Sequence, residues 1–248
     1  MVDNDLVEAA ETFLRQYRDD GHSVKVVPAQ HVVDSTANLN AEYGLFTSGH
    51  TLAASAYYRI FFARTLQRMG AHERATYLDS DIIVRQGLDE LFTLDLEGKP
   101  LAARIETVRP EVIRATRLNN IADGGYFNSG ILLFDLTSDR LAPALARAVQ
   151  AIDDEAVTLM FQDQCALNIG FDRDFRPLEM RFNYPVGEGD RLDTVPGNTA
   201  IVHYLDRPKP WSAAYGGDCS TQWFEEWQRM AAHIGEGRAM ELFGLTSD

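Results

Sequence analysis

Positive charge is scarce in this chain. Its 23 lysines and arginines stand against 37 aspartates and glutamates, a formal net charge of -14 over 248 residues. A nucleic-acid surface needs a basic stripe, so that class is excluded, and simple adhesion to anionic lipid finds no support either. Cysteine is almost absent. Cys165 and Cys219 make neither a C-x-x-C pair nor a disulfide framework, and a cytoplasmic, reducing location is the expectation. No apolar run approaches the roughly 20 residues of a membrane span. Internal repeats, low-complexity tracts and Gly/Ser linkers are also missing. The acidic opening Met1-Val2-Asp3-Asn4-Asp5 reads as neither a signal nor a transit peptide. What remains is 45% hydrophobic and 24% charged, as in a globular chain. The length suits one domain with a full-sized core, or one domain plus a short appendage.

Apolar spacing predicts helices from Leu6 to about Arg18, from about Thr51 to Met69, from Arg140 to about Ile152 and from Gln162 to Asn168. A last amphipathic helix carries Trp223, Phe224, Trp227, Met230 and Ile234. Strands are expected at Val24–Val27, in the run ending at Asp79, at Leu101–Ile105, at Ile131–Phe134 and at Ala200–Tyr204, with a short helical turn at Leu88–Phe92. Strands alternating with helices imply an α/β sheet covered on both faces. Ligands on such sheets sit beyond the carboxyl ends of strands.

One such end is the most informative stretch of the chain. Ala75-Thr76-Tyr77-Leu78-Asp79-Ser80-Asp81 is a β-branched and aromatic strand that stops on two carboxylates one residue apart. In an extended chain residues i and i+2 point the same way. Two carboxylates aimed at one point repel unless a cation lies between them. Asp-Ser-Asp also serves in turns and helix caps, so the reading rests on matching pieces elsewhere. Arg59 lies on the preceding helix. Asn128 sits in Tyr126-Phe127-Asn128-Ser129-Gly130. Asp163 and Gln164 open a helix, and His203 and Lys209 lie six residues apart. A neutral imidazole is a suitable third ligand for a Mn-like ion, and a lysine meets phosphate as a point charge. If the substrate carries phosphates, the field of the whole protein opposes it, and a divalent cation with a local Arg or Lys would have to overcome that field.

These pieces resemble family 8 of the retaining glycosyltransferases, the group with bacterial lipopolysaccharide galactosyl- and glucosyltransferases and glycogenin. The matching motifs are Tyr-Leu-Asp-Ser-Asp, Tyr-Phe-Asn-Ser-Gly-Ile-Leu-Leu-Phe, Gln-Asp-Gln-x-x-Leu-Asn and His-Tyr-x-x-x-x-Lys-Pro-Trp, in the family's order, over roughly residues 5 to 211. The resemblance implies an α/β fold of the GT-A (Rossmann-like) type, a mixed sheet flanked by helices, spanning residues 1–211, with 212–248 as a C-terminal helical segment. It implies transfer of a hexose, galactose or glucose, from a UDP-sugar to a hydroxyl with retention. The acceptor would be a carbohydrate or lipid-linked saccharide. Mn²⁺ (or Mg²⁺) would be held by Asp79, Asp81 and His203. Lys209 would contact the diphosphate, and Leu78, Ser80 and Ser129 would approach the nucleotide mostly through backbone. Arg59, Glu106, Asn128, Asp163 and Gln164 would surround the donor sugar, with Asp163 and Gln164 nearest the chemistry.

The chain departs from the family in three places. The family's opening strand, whose loop holds uracil and ribose, has no counterpart, so the domain is expected to lack the first βαβ unit of about 30 or more residues. Asp206 stands where the family carries Gly. The aromatic tail is acidic on balance, which gives membrane docking little support. Two other readings compete. An aspartate-nucleophile phosphatase also places D-x-D at a strand end, but Ile83 stands where that motif has Thr or Val. A non-catalytic GT-A module, or a homo-oligomer that completes the sheet, would follow from the missing unit and its exposed edge.

Overall fold

The computed structural model describes residues 54–234 except positions 108, 122, 123, 155, 206 and 213. The expected helix at Leu6–Arg18 and strand at Val24–Val27 lie outside the described residues. Two compact units divide the chain. Within the described residues the larger takes 54–185 and 196–203, and the smaller takes 186–195 and 204–234.

The larger unit starts with a 3-10 turn, Ala54–Tyr57, that runs into α1, Tyr58–Met69. Gly70 ends α1 in the left-handed conformation, its N–H on the carbonyls of Leu66 and Gln67, a common glycine stop. β1, Arg74–Leu78, halts just before Asp79. The chain bends at Ser80 and Asp81, and Ile82–Val84 form a separate strand, β2. α2 is the short turn Asp89–Phe92, β3 is Leu101–Ile105, and α3 is Pro110–Leu118. β4 is the long strand Phe127–Asp135, α4 spans Leu141–Asp153, and α5 spans Gln162–Phe171. β5 (Arg176–Pro177), β6 (Tyr184–Val186) and β7 (Ile201–Tyr204) complete the strands.

Among the described residues, four strands form one sheet in the order β1-β4-β3-β5, and three form another in the order β2-β7-β6. β4 pairs antiparallel with β1 and β3, and β3 pairs parallel with β5, so the first sheet is mixed. β4 is buried along nearly its whole length, as its apolar run requires. The strand is longer than the expected Ile131–Phe134. Phe127, Asn128 and Ser129, which precede the expected strand, are strand residues as well. Their polar groups meet protein side chains: the Phe127 backbone meets Asn168 of α5, the Ser129 N–H meets Gln164 of α5 and its carbonyl meets Arg59 of α1, and the Asn128 side chain meets Glu106 and Asn183.

One apolar core gathers Leu91, Leu96, Ala102, Ile131, Leu133, Leu178, Phe182, Ala200 and Ile201. A second joins α3 to α5 through Val112, Ala115, Ile121, Tyr126 and Cys165. Helices α4 and α5 pack closely at Gly170, where an added Cβ would lie 2.5 Å from the carbonyl oxygen of Ala144 and 2.8 Å from the Cβ of Ala148.

The smaller unit is an aromatic cluster under α6, Ser220–Ile234. Tyr204 meets Tyr215 and Trp223 edge-on at 6.3 Å between ring centres, and Trp211 lies 4.9 Å from Trp223. The Tyr204 hydroxyl donates to the Cys219 carbonyl at 2.8 Å. None of the helices described is long and apolar enough to cross a membrane.

Candidate functional site

Both of the larger unit's sheets bring residues to one place. β1 delivers Asp79 at its end, and the Asp79 N–H donates to the Gly130 carbonyl of β4 at 2.8 Å. β2 pairs with β7 so that Ile82 faces His203. Asp79, Asp81 and His203 thereby converge, each offering one ligand atom, all within 4.8 Å of one another. His203 Nε2 lies 3.3 Å from Asp81 Oδ1 and 3.7 Å from Asp79 Oδ2. The imidazole is buried, while the two carboxylates keep 21% and 18% of their surface. Two carboxylates and an imidazole make a mixed oxygen and nitrogen donor set that suits a divalent ion such as Mn²⁺. Gly130 is part of the cradle. A Cβ there would stand 2.1 Å from His203 Cε1 and 2.8 Å from Asp79 Oδ2.

Arg59 forms the wall behind Asp79. Its side chain is buried, only 8% exposed. Its Nη2 lies 3.0 Å from Asp79 Oδ1, and its Nε lies 3.1 Å from Asp163 Oδ2. Nη1 donates to the Ser129 carbonyl at 2.6 Å and to Ser129 Oγ at 3.1 Å. The guanidinium lies over the Tyr77 ring at 4.5 Å. Burial works against the Arg59 charge, but Asp163 and Asp79 more than offset it and hold its pKa above the ordinary value. The Tyr77 hydroxyl donates to Asp79 Oδ1 at 2.7 Å. Burial pushes that phenol's pKa up. Asp79 and Asp163 thus share one guanidinium while Asp81 stands beside His203, and the site carries an excess of negative charge that a cation would relieve.

Asp163 opens α5 and is 4% exposed. It accepts from Ser129 Oγ at 3.1 Å. Burial outweighs the attraction of Arg59 and raises its pKa from 3.8 to about 6. Gln164 is held at both ends. Its Oε1 accepts the Ser129 N–H at 3.0 Å and Asn128 Nδ2 at 3.3 Å, and its amide hydrogen-bonds the Tyr126 hydroxyl.

Glu106 is sealed. Its Oε1 accepts from Arg104 Nη2 at 3.0 Å and from the Thr107 N–H at 2.7 Å, and its Oε2 accepts from Asn128 Nδ2 at 2.9 Å. Burial alone would raise its pKa, but Arg104, Asn128 and Thr107 together hold it below the ordinary range. Leu78 is half-buried against the first core, and Ser80 is exposed. Lys209 belongs to the smaller unit, where its Nζ donates to the Tyr204 carbonyl at 2.6 Å.

Four further residues support the site, and the sequence assigns none of them a role there. Tyr77 looks like any strand aromatic, and Arg104 like a surface charge on a strand. Asn168 falls within a motif, yet its work is structural: its amide exchanges hydrogen bonds with both backbone groups of Phe127, each at 2.8 Å. Asn183 lies in Arg181-Phe182-Asn183-Tyr184-Pro185 and is fully buried. A lone amide amid large side chains is the one available signal.

Comparison with known proteins agrees with this geometry. The profile of glycosyl transferase family 8 matches residues 7–214. A glycosyltransferase of Streptococcus pneumoniae serotype 4, GlyF, is 30% identical over 193 residues, covering 73% of this chain and 44% of the relative. A lipopolysaccharide 1,2-glucosyltransferase of Escherichia coli is 27% identical over 173 residues, covering 63% and 49%. The chain thus spans less than half the length of these curated relatives. Among solved structures, the galactosyltransferase LgtC with donor and acceptor sugar analogues superposes with a TM-score of 0.61 at 19% identity, covering 92% of this chain and 98% of that one. That likeness identifies the α/β architecture as a GT-A fold.

Proposed function

The chain belongs to glycosyl transferase family 8, and on that premise we propose that it moves a hexose from a UDP-hexose to a saccharide hydroxyl with retention of anomeric configuration. The relatives' glucosyl- and galactosyltransferase names support a glucose or galactose donor and a carbohydrate or lipid-linked acceptor. The observation that carries the reading is the convergence of Asp79, Asp81 and His203 beside the buried Arg59. Asp79, Asp81 and His203 would hold a divalent cation, Mn²⁺ by their donor set, which when bound supplies charge to stabilise the leaving diphosphate. We assign the transferase domain to residues 1–211, Lys209 to the diphosphate, and Leu78, Ser80 and Ser129 to the nucleotide.

In the transfer, the bond between the sugar C1 and the β-phosphate oxygen breaks, and a bond from C1 to the acceptor oxygen forms. Retention by double displacement needs a nucleophile on the face opposite the leaving group. Gln164 is a poor nucleophile. Asp163 is the alternative, but Arg59 and Ser129 both engage its Oδ2. We therefore assign a front-face route, in which the acceptor's proton passes to the departing phosphate. Asp163 then keeps Arg59 in place, and Arg59 orients Asp79.

The test is an assay of UDP release from UDP-glucose and UDP-galactose over a panel of saccharide acceptors with Mn²⁺, followed by NMR of the product's anomeric linkage. Acceptor-dependent release with retained configuration is expected. A covalent sugar adduct on Asp163 would contradict the front-face route. Absence of release from either donor by folded, Mn²⁺-binding protein would overturn the transferase reading.

A further inference from the structure

We propose that Asn183 is a positioning residue that fixes His203 in the Nδ1–H tautomer and so aims a bare Nε2 at Asp79 and Asp81. The inference rests on the metal-site reading above. Its basis is a buried chain of hydrogen bonds whose polarity can be followed from end to end.

The chain begins at a group that cannot be turned around. The Gly130 backbone N–H can only donate, and it points at the Asn128 side chain at 3.0 Å, so the atom it meets there is Oδ1. The other end of the Asn128 amide is then Nδ2, and it faces the Glu106 carboxylate at 2.9 Å, an acceptor. Both contacts agree on one orientation. Asn183 approaches the same Asn128 Oδ1 at 2.9 Å, so the atom it presents is Nδ2. Its Oδ1 is left facing His203 Nδ1 at 2.9 Å. An amide oxygen only accepts, so His203 Nδ1 carries a hydrogen. A neutral imidazole protonated on Nδ1 has its lone pair on Nε2, the nitrogen 3.3 Å from Asp81.

The orientation of a ligating histidine is commonly set by what its other nitrogen meets. Here that partner is a neutral amide, locked in turn by a backbone N–H and by a carboxylate that Arg104 neutralises. Asn183 and His203 are 0% and 2% exposed, so water cannot substitute for the contact. Burial also makes an unpaired Nδ1–H costly. Without Asn183 the ring would gain by moving its proton to Nε2, beside two carboxylates, which is the tautomer that cannot ligate.

The test combines nitrogen-15 NMR of the His203 ring, in metal-free protein at a pH where imidazole is neutral, with calorimetric titration of Mn²⁺. Wild-type protein should show Nδ1 protonated. Asn183→Leu removes the acceptor at similar volume. It should shift the proton toward Nε2 and weaken Mn²⁺ binding about 10- to 100-fold. Asn183→Asp keeps an acceptor for His203 and should retain both the tautomer and Mn²⁺ binding within a few-fold. Nε2 protonation in the wild type would overturn the inference without any variant, should Asn183→Leu not fold. An unchanged tautomer and affinity in folded Asn183→Leu, or a shifted tautomer in Asn183→Asp, would overturn it as well. His203→Ala separates the two levels. If it binds Mn²⁺ like the wild type, the metal-site reading fails. If it loses binding while Asn183→Leu does not, only the present inference fails.

Discussion

Two buried arginines of the larger unit, Arg104 and Arg59, pair with carboxylates under opposite conditions. Arg104 and Glu106 are each 2% exposed at the side chain, and protein donors occupy both Glu106 oxygens. Arg59 is also buried, but its partner Asp79 keeps 21% of its surface and shares its neighbourhood with Asp81 and His203. The first pair is closed: every charge has its complement inside the protein. The second is open on one side, with more negative charge than Arg59 can offset. A fold has no reason of stability to crowd carboxylates. The contrast therefore separates a pair whose charges are matched inside the protein from a cluster whose excess negative charge a cation would relieve.

The largest effect that would test this contrast is at the closed pair. Glu106→Gln leaves Arg104 charged and buried, and should lower unfolding free energy by about 3–5 kcal/mol. Asp81→Asn at the open cluster should change the metal-free protein by no more than about 1 kcal/mol. Urea unfolding of both variants checks the pair of values, and equal losses would erase the distinction.

A somewhat smaller effect is expected at Asp163, whose pKa rises from 3.8 to about 6. The folded protein holds this proton more tightly than the unfolded chain. Its contribution to stability is therefore full below about pH 4 and is lost as pH rises through about 6. The span is on the order of 3 kcal/mol. Asp163→Asn cannot titrate, so the stability difference between wild type and variant should shift in the variant's favour by up to that amount between pH 4 and 6.5. A pH-independent difference would mean that Arg59, not burial, governs the carboxyl.

Smallest is Tyr77→Phe, which removes one hydrogen bond to the partly exposed Asp79. A loss of about 1 kcal/mol is expected by thermal unfolding, with the Arg59 contact to the ring retained. A loss as large as that of Glu106→Gln would show that the open cluster is as tightly integrated as the closed pair.

Much of this was legible in the residues, for reasons that differ from place to place. β3 and the core of β4 follow from apolar runs, and α4 and α5 from apolar spacing. The stop of β1 at the Asp-Ser-Asp carboxylates was legible, but β2 was not, because Ile82–Val84 is only 3 residues long, too short a run to show a period. It also gave no sign of α3, whose nine residues include only a few apolar ones on a short face. Asp79, Asp81 and His203 stood out by residue type and motif, and the structure brings them together. Asn183 and Arg104 did not, because a hydrogen-bond partner is defined by a fold that brings distant residues together: Asn183 is 55 residues from Asn128.

The most direct measurement of the central claim is calorimetric titration of UDP into the protein with and without Mn²⁺, repeated with Asp81→Ala. Mn²⁺-dependent binding that Asp81→Ala abolishes, with the variant still folded, is expected. UDP binding of equal strength in the two proteins, or binding indifferent to Mn²⁺, would contradict it.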